Sequence, residues 1–126
     1  DLTNADLSDS DLLGANLVGA DLEGVNLSNA NLSGADLSGT NLKNANLKNS
    51  KLFGTKLFGA MLEGADLSFS QIEGSNFSGA VMQNVILTGV NLSGGFFESV
   101  NLDNVKLNDR DLSKIKFHAH LPQRTT

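Results

Sequence analysis

The chain of 126 residues has no cysteine, no tryptophan and no tyrosine, and only one proline. Without cysteine there is no disulfide framework and no thiolate metal site, and the redox compartment stays open. Positive charge is scarce. Nine Lys and Arg stand against 14 Asp and Glu, for a net charge of −5 and a pI near 4.7. Such a chain does not neutralise phosphates non-specifically, so no nucleic-acid partner is expected. Long hydrophobic runs are missing too. No stretch approaches the roughly 18 apolar residues of a membrane span, so no membrane partner is expected, and no signal peptide is visible. The chain opens at Asp1, without Met and already inside its repeat, as a processed protein or an excised segment would. A soluble protein is expected, in the cytoplasm or, if an upstream signal was removed, in the periplasm or thylakoid lumen.

What is present is a period. Leu stands at every fifth position from 2 to 67, and the register continues through Ile72, Phe77, Met82, Leu87, Leu92, Phe97, Leu102, Leu107, Leu112 and Phe117. Two residues before each of these central residues sits a small or β-branched one, as at Ala5, Ser10, Val25 and Thr40. Two residues after, Gly, Asn or Asp dominates, as at Asn4, Asp9, Gly14 and Gly24. A helix repeats its apolar residues at about 3.6 and a plain strand at 2.0, so neither fits. A helix would also carry 13 glycines, each unfavourable by about 1 kcal/mol against Ala. Disorder is not expected either, because a large apolar residue recurs in every repeat and supplies the surface that disordered chains lack.

A solenoid does fit. In Ala35-Asp36-Leu37-Ser38-Gly39, residues 35 and 37 share one side of an extended backbone, and Asp36 and Ser38 share the other. Gly39 falls where the chain turns, a position that Gly, Asn and Asp tolerate. Four such turns close a square of twenty residues, and stacked squares pair like parallel strands about 4.8 Å apart. Residues 1–120 are expected to form about six coils, with 121–126 as a C-terminal tail or partial cap.

The units Ala5-Asp6-Leu7, Ala15-Asn16-Leu17, Ala20-Asp21-Leu22, Ala30-Asn31-Leu32, Ala35-Asp36-Leu37, Ala45-Asn46-Leu47 and Ala65-Asp66-Leu67 resemble the A(D/N)LXX signature of the pentapeptide-repeat family. The resemblance covers nearly the whole chain. It implies an all-β solenoid, the right-handed quadrilateral parallel β-helix, and it implies no single function. The family includes quinolone-resistance proteins that mimic DNA and bind gyrase, cyanobacterial and thylakoid-lumen proteins, and segments of bacterial effectors.

Columns twenty residues apart organise the rest. Phe77, Phe97 and Phe117 are expected to stack on one wall of the core, relieved by the small Ser75 and Gly95. Glu23, Lys43 and Glu63, and Asp36 beside Lys56, are expected to form ion pairs between coils. Lys43, Lys48, Lys51 and Lys56 form a basic belt, read as solvated charge or as an anion or acidic-partner contact. Phe53, Phe58, Met61, Phe69, Val81, Ile86 and Phe96 are apolar at outward positions and mark a candidate protein-contact surface, split between two pairs of walls.

The end of the chain departs from the pattern. Arg110 and Ile115 occupy inward slots, Pro122 stands where a large residue belongs, and Leu121 is one position early. His118 and His120 read as tail residues rather than metal ligands, since no third ligand type is nearby. The Ser and Asp residues are spread over all faces, the glycines open no phosphate loop, and neither His lies in a nucleophile or base arrangement, so neither catalysis nor a cofactor is expected. The sequence reads as a non-catalytic scaffold that contacts another protein of unknown identity. The alternative is a DNA-mimicking binder of a type II topoisomerase, carried by the acidic excess at Asp1, Asp6, Asp9, Asp11, Asp21, Glu23 and Asp36. Because the walls are mostly polar and solenoid ends expose core and backbone, any self-association is expected end to end, as a homodimer.

Overall fold

Each repeat has five backbone N–H groups to satisfy, and their partners set the architecture. In the computed structural model, which describes residues 1–106, the repeat Val25–Asn29 shows the pattern. Val25 N–H donates to Leu22 O at 3.0 Å and closes a turn. Asn26 N–H reaches back to Ala5 O at 2.9 Å, while Leu27 and Asn29 reach forward to Asn46 O and Lys48 O at 2.7 and 2.9 Å. The fifth donor, Ser28 N–H, is taken by the Oδ1 of Asn26 at 3.0 Å. Three bonds therefore tie each repeat to its neighbouring coils, one makes the corner, and one comes from a side chain.

The coils stack in parallel register at twenty residues, as the bridges Asp6↔Asn26, Asn26↔Asn46, Asn46↔Asp66, Asp66↔Ile86 and Ile86↔Lys106 show on one wall. As expected the walls pair in parallel, and each does so through single-residue bridges. The reason is length: a corner every five residues leaves only the residue before the central one in paired, extended geometry. Coil one comprises residues 1–20, and the later coils follow in steps of twenty. The four walls take their core residues from the columns that begin at Leu2, Leu7, Leu12 and Leu17.

The corners explain the residue two after the centre. Every such position from 4 to 104 except Gly94 lies at positive φ, between 57° and 76°. Asn and Gly fill nearly all of them, the residues for which this conformation is least unfavourable. At Gly94 the chain instead forms a short 3₁₀ turn, Leu92–Gly94. Gly74 N–H there donates to Gly94 O at 2.7 Å, and the bridge that Gln71 would make with Asn91 is missing.

The interior is apolar. Central residues from Leu22 to Leu102 are buried, as are the small residues two before them from Val25 to Val105. Burial of one such Leu contributes about 1.5–3 kcal/mol. Buried hydroxyls bond the backbone, Thr40 to Leu37 O at 2.7 Å, Thr55 to Leu32 O at 2.8 Å and Ser75 to Ile72 O at 2.6 Å. Ser50 Oγ and Ser70 Oγ, stacked in one column, find no partner among the described residues. Phe77 and Phe97 stack as expected, with centroids 5.1 Å apart and planes 1° from parallel. A Cβ on Gly95 would lie 2.8 Å from the Phe97 ring, so the absent side chain is what admits the ring. In coil one the core is open: Leu2 is exposed, and Leu7, Leu12 and Leu17 are half-buried. The expectations for Arg110, Ile115, Phe117, His118, His120, Leu121 and Pro122 lie outside the described residues.

Candidate interaction surface

The outward residues of each repeat are the one before the central residue and the two after it. The first is fixed locally. Its side-chain oxygen accepts the N–H two residues on, as in Asp6 to Ser8 at 3.1 Å, Asn31 to Ser33 at 3.1 Å, Asp66 to Ser68 at 2.9 Å and Asn101 to Asp103 at 2.9 Å. Only an acceptor oxygen is needed, which is why Asp and Asn interchange here. Where the residue two on is Ser, its hydroxyl can join, as Ser8 Oγ does to Asp6 at 2.7 Å. Bonds from the Ser8 hydroxyl and then the Ser8 N–H hold the Asp6 carboxyl below its ordinary pKa. Those from Ser38, with a smaller contribution from Lys56, do the same for Asp36.

The carboxylates at this slot therefore serve the backbone, and they form no continuous stripe. Along the columns, Asp11 is followed by Asn31, Lys51 and Gln71, and Asp36 by Lys56, Asn76 and Phe96. A phosphate-like ladder needs negative charge at successive levels. Of the expected ion pairs between coils, Asp36 has Lys56 beside it in its column, but the Glu23–Lys43–Glu63 column does not form. Glu23 accepts from Asn41 Nδ2 at 3.2 Å instead of meeting Lys43. Lys48 Nζ lies 3.6 Å from Asp66 Oδ2. Both contacts run on a diagonal to the next coil, from each residue to the one two places before the position directly above it.

All Lys and Arg residues between 1 and 105 fall in coil three, at Lys43, Lys48, Lys51 and Lys56. Lys43 is half-buried and Lys48 is engaged with Asp66. Lys51 and Lys56 are exposed, and each is followed two residues later by an exposed Phe, Phe53 and Phe58.

Among the candidate apolar contacts, Phe53, Phe58, Phe69 and Phe96 are exposed, by 38%, 43%, 59% and 51%. Met61, Val81 and Ile86 are only half-buried, because Met61 and Val81 stack on each other and Ile86 on Asp66. They shield one another more than they present a surface. Two exposed residues were missed, Leu13 at 65% and Val18 at 57%. Their signal was legible, since both stand one after a central Leu, as Phe53 and Phe58 do. Leu13 shares the Phe53 column and Val18 the Phe58 column, two coils below.

Phe69 is unusual in backbone as well as exposure. It occupies a corner at φ 61°, where the corners one and two coils below hold Asn49 and Asn29. A left-handed aromatic residue is disfavoured by roughly 1–2 kcal/mol. Its ring lies over the backbone of Gly89 on the next coil, where even a methyl group would collide with it. Among the described residues no helix is long and apolar enough to cross a membrane.

A family model for pentapeptide repeats matches the chain in 8 copies, over residues 1–39, 20–57, 30–68, 65–104 and 80–118. A pentapeptide repeat protein of the Arabidopsis thaliana thylakoid lumen is similar in structure, with a TM-score of 0.70 and 28% identity over 86% of this chain and 72% of its own. Another, from Nostoc Pcc 7120, gives a TM-score of 0.67 and 28% identity over 90% of this chain and 84% of its own. A plasmid-mediated fluoroquinolone resistance protein, QnrB1, superposes less well, at a TM-score of 0.39 and 19% identity over 98% of this chain and 78% of its own. No curated protein matches the chain.

Proposed function

This chain belongs to the pentapeptide repeat family, whose fold is the right-handed quadrilateral β-helix, and we propose that it acts as a rigid, non-catalytic scaffold that holds another protein against its outer walls. The proposed contact centres on coils four and five, with Phe96 on the wall of Leu17 and Phe69 at the corner that leads into the adjoining wall of Leu12, the two walls opposite those of Met61, Val81 and Ile86. Phe53 and Phe58 extend it downward. The lysines of coil three supply complementary charge for carboxylates.

The observation that carries this reading is Phe69. The fold alone favours Asn or Gly at that corner, so an exposed aromatic ring held there against its backbone preference is best explained by what the ring touches outside the chain. Exposed aromatics of this kind are the anchors that dominate binding energy at protein interfaces.

The test uses two substitutions that copy the residue one coil below, Phe69→Asn after Asn49 and Phe96→Asn after Asn76. The wild-type chain and the double variant serve as baits in an extract of the source organism. A protein retained by wild type and lost by the equally well-folded variant is the expected result. Identical captures by both would refute the placement of the contact on these coils.

A further inference from the structure

We propose that coil three carries a docking strip for an acidic, extended segment of another protein, which wraps the coil with its carboxylates on Lys51 and Lys56 and its apolar side chains on Phe53 and Phe58. Around the coil these four residues alternate in chemistry. Lys51 stands on the wall of Leu12, Phe53 at the corner that follows, Lys56 on the wall of Leu17, and Phe58 at the next corner. Thr55 N–H donates to Leu52 O at 3.2 Å and Ala60 N–H to Leu57 O at 3.1 Å, and these bonds close the two corners. All four side chains are exposed.

The coil itself does not ask for these residues. Coil two fills the same four slots with Asn31, Ser33, Asp36 and Ser38. There Asn31 accepts the N–H of Ser33 and Asp36 that of Ser38, at 3.1 and 3.0 Å. A lysine has no acceptor, so Lys51 and Lys56 forgo that bond. The other two lysines of the coil are less available: Lys43 is half-buried, and Lys48 Nζ lies 3.6 Å from Asp66. Among the described residues Lys51 and Lys56 make no ion pair. The two exposed cations without an ion pair are thus the two that neighbour exposed aromatic rings.

The occupant follows from the shape. Lys51 and Lys56 stand on adjoining walls, so a flat body laid on one wall reaches only one of them. A single extended chain is narrow enough to turn the corner between them. Its alternate side chains share one face at about 6.8 Å intervals, so acidic and apolar residues at every second position present the complementary order. Charge also sets the level. Glu73 stands one coil above Phe53 and Asp36 one coil below Lys56, and both repel a segment of carboxylates that strays from coil three. The inference deepens the scaffold reading and rests on it, naming the kind of partner segment that this coil takes.

The probe is a synthetic peptide with blocked ends, in the order glutamate, serine, leucine, serine, glutamate, serine, leucine. It is titrated into the isotope-labelled chain, and binding is read from backbone amide shifts in NMR spectra. Shifts centred on residues 51–58 that fade as salt rises from about 0.05 to about 0.5 M are expected. Lys51→Asn with Lys56→Asn should weaken binding by about two- to thirtyfold, and Phe53→Ser with Phe58→Ser should weaken it too. Glu73→Ser should tighten it. Each substitution copies a residue of an adjacent coil in the same slot, Asn31, Asn76, Ser33, Ser38 or Ser93, and circular dichroism verifies folding. No shift at residues 51–58 overturns the proposal. So does equal binding of a peptide with lysine in place of glutamate, or an affinity that neither pair of substitutions changes. The Phe69 and Phe96 baits leave coil three untouched, so a failure here and a failure of the contact on coils four and five are told apart.

Discussion

Gly95→Ala tests the packing account at a single methyl group. Gly95 has φ −98°, an ordinary conformation for any residue, so the substitution imposes no backbone strain. Its added Cβ would lie 2.8 Å from Phe97 Cε2, 3.1 Å from Phe97 Cζ and 2.9 Å from Ile72 Cδ1. The Ile72 methyl is the far end of a flexible side chain and can yield. The Phe97 ring is fully buried and stacked on Phe77, so it cannot move without losing that contact. Overpacking of this kind costs about 1–3 kcal/mol. Phe97→Leu alone forfeits the ring stack and some volume, about 1–2 kcal/mol. Combined, the two restore the Ala-x-Leu pattern found three coils below in the same column at Ala35 and Leu37. Alanine then relieves unfolded-chain entropy by about 0.4–1 kcal/mol instead of colliding. The double variant is therefore expected to be no less stable than Phe97→Leu alone, with a coupling of about 1–3 kcal/mol. With no Trp or Tyr to report by fluorescence, urea unfolding followed by far-UV circular dichroism is the assay. Effects that simply add, within about 0.5 kcal/mol, would refute the argument that ring and methyl compete for one space.

Leu47→Ala, on the fully buried axis, should lower stability by about 2–5 kcal/mol, and Ser38→Ala on the surface by no more than about 0.5 kcal/mol; similar losses in the same urea experiment would contradict the inside–outside assignment. Asn46→Ala removes the acceptor for Lys48 N–H and should cost about 0.5–1.5 kcal/mol, whereas Asn46→Asp should be close to neutral, and a large Asp penalty would show that the slot reads charge rather than acceptor geometry. The Asp36 carboxyl lies below its ordinary pKa in the folded chain. Its contribution is thus present above the unfolded value near 3.9 and is lost as pH falls through the folded value. Thermal melts between pH 5 and 2 should show Asp36→Asn losing less stability on acidification than wild type, and parallel curves would count against the linkage.

The sequence by itself determined the period, and with it the coil. A central Leu every fifth residue, a small residue two before it and a left-handed-tolerant residue two after are local requirements, and together they specify wall, interior and corner without reference to distant contacts. The Asp/Asn slot is equally local, since its oxygen serves a donor two residues away. Tertiary structure decided what depends on neighbouring coils. Whether an outward apolar side chain is exposed turns on the residue stacked beside it, so Val81 is half-covered while Leu13 and Val18, passed over in the sequence, stand free. The Lys48–Asp66 pair escaped a column rule, because a long Lys48 side chain finds Asp66 on a diagonal that only the stacked geometry creates.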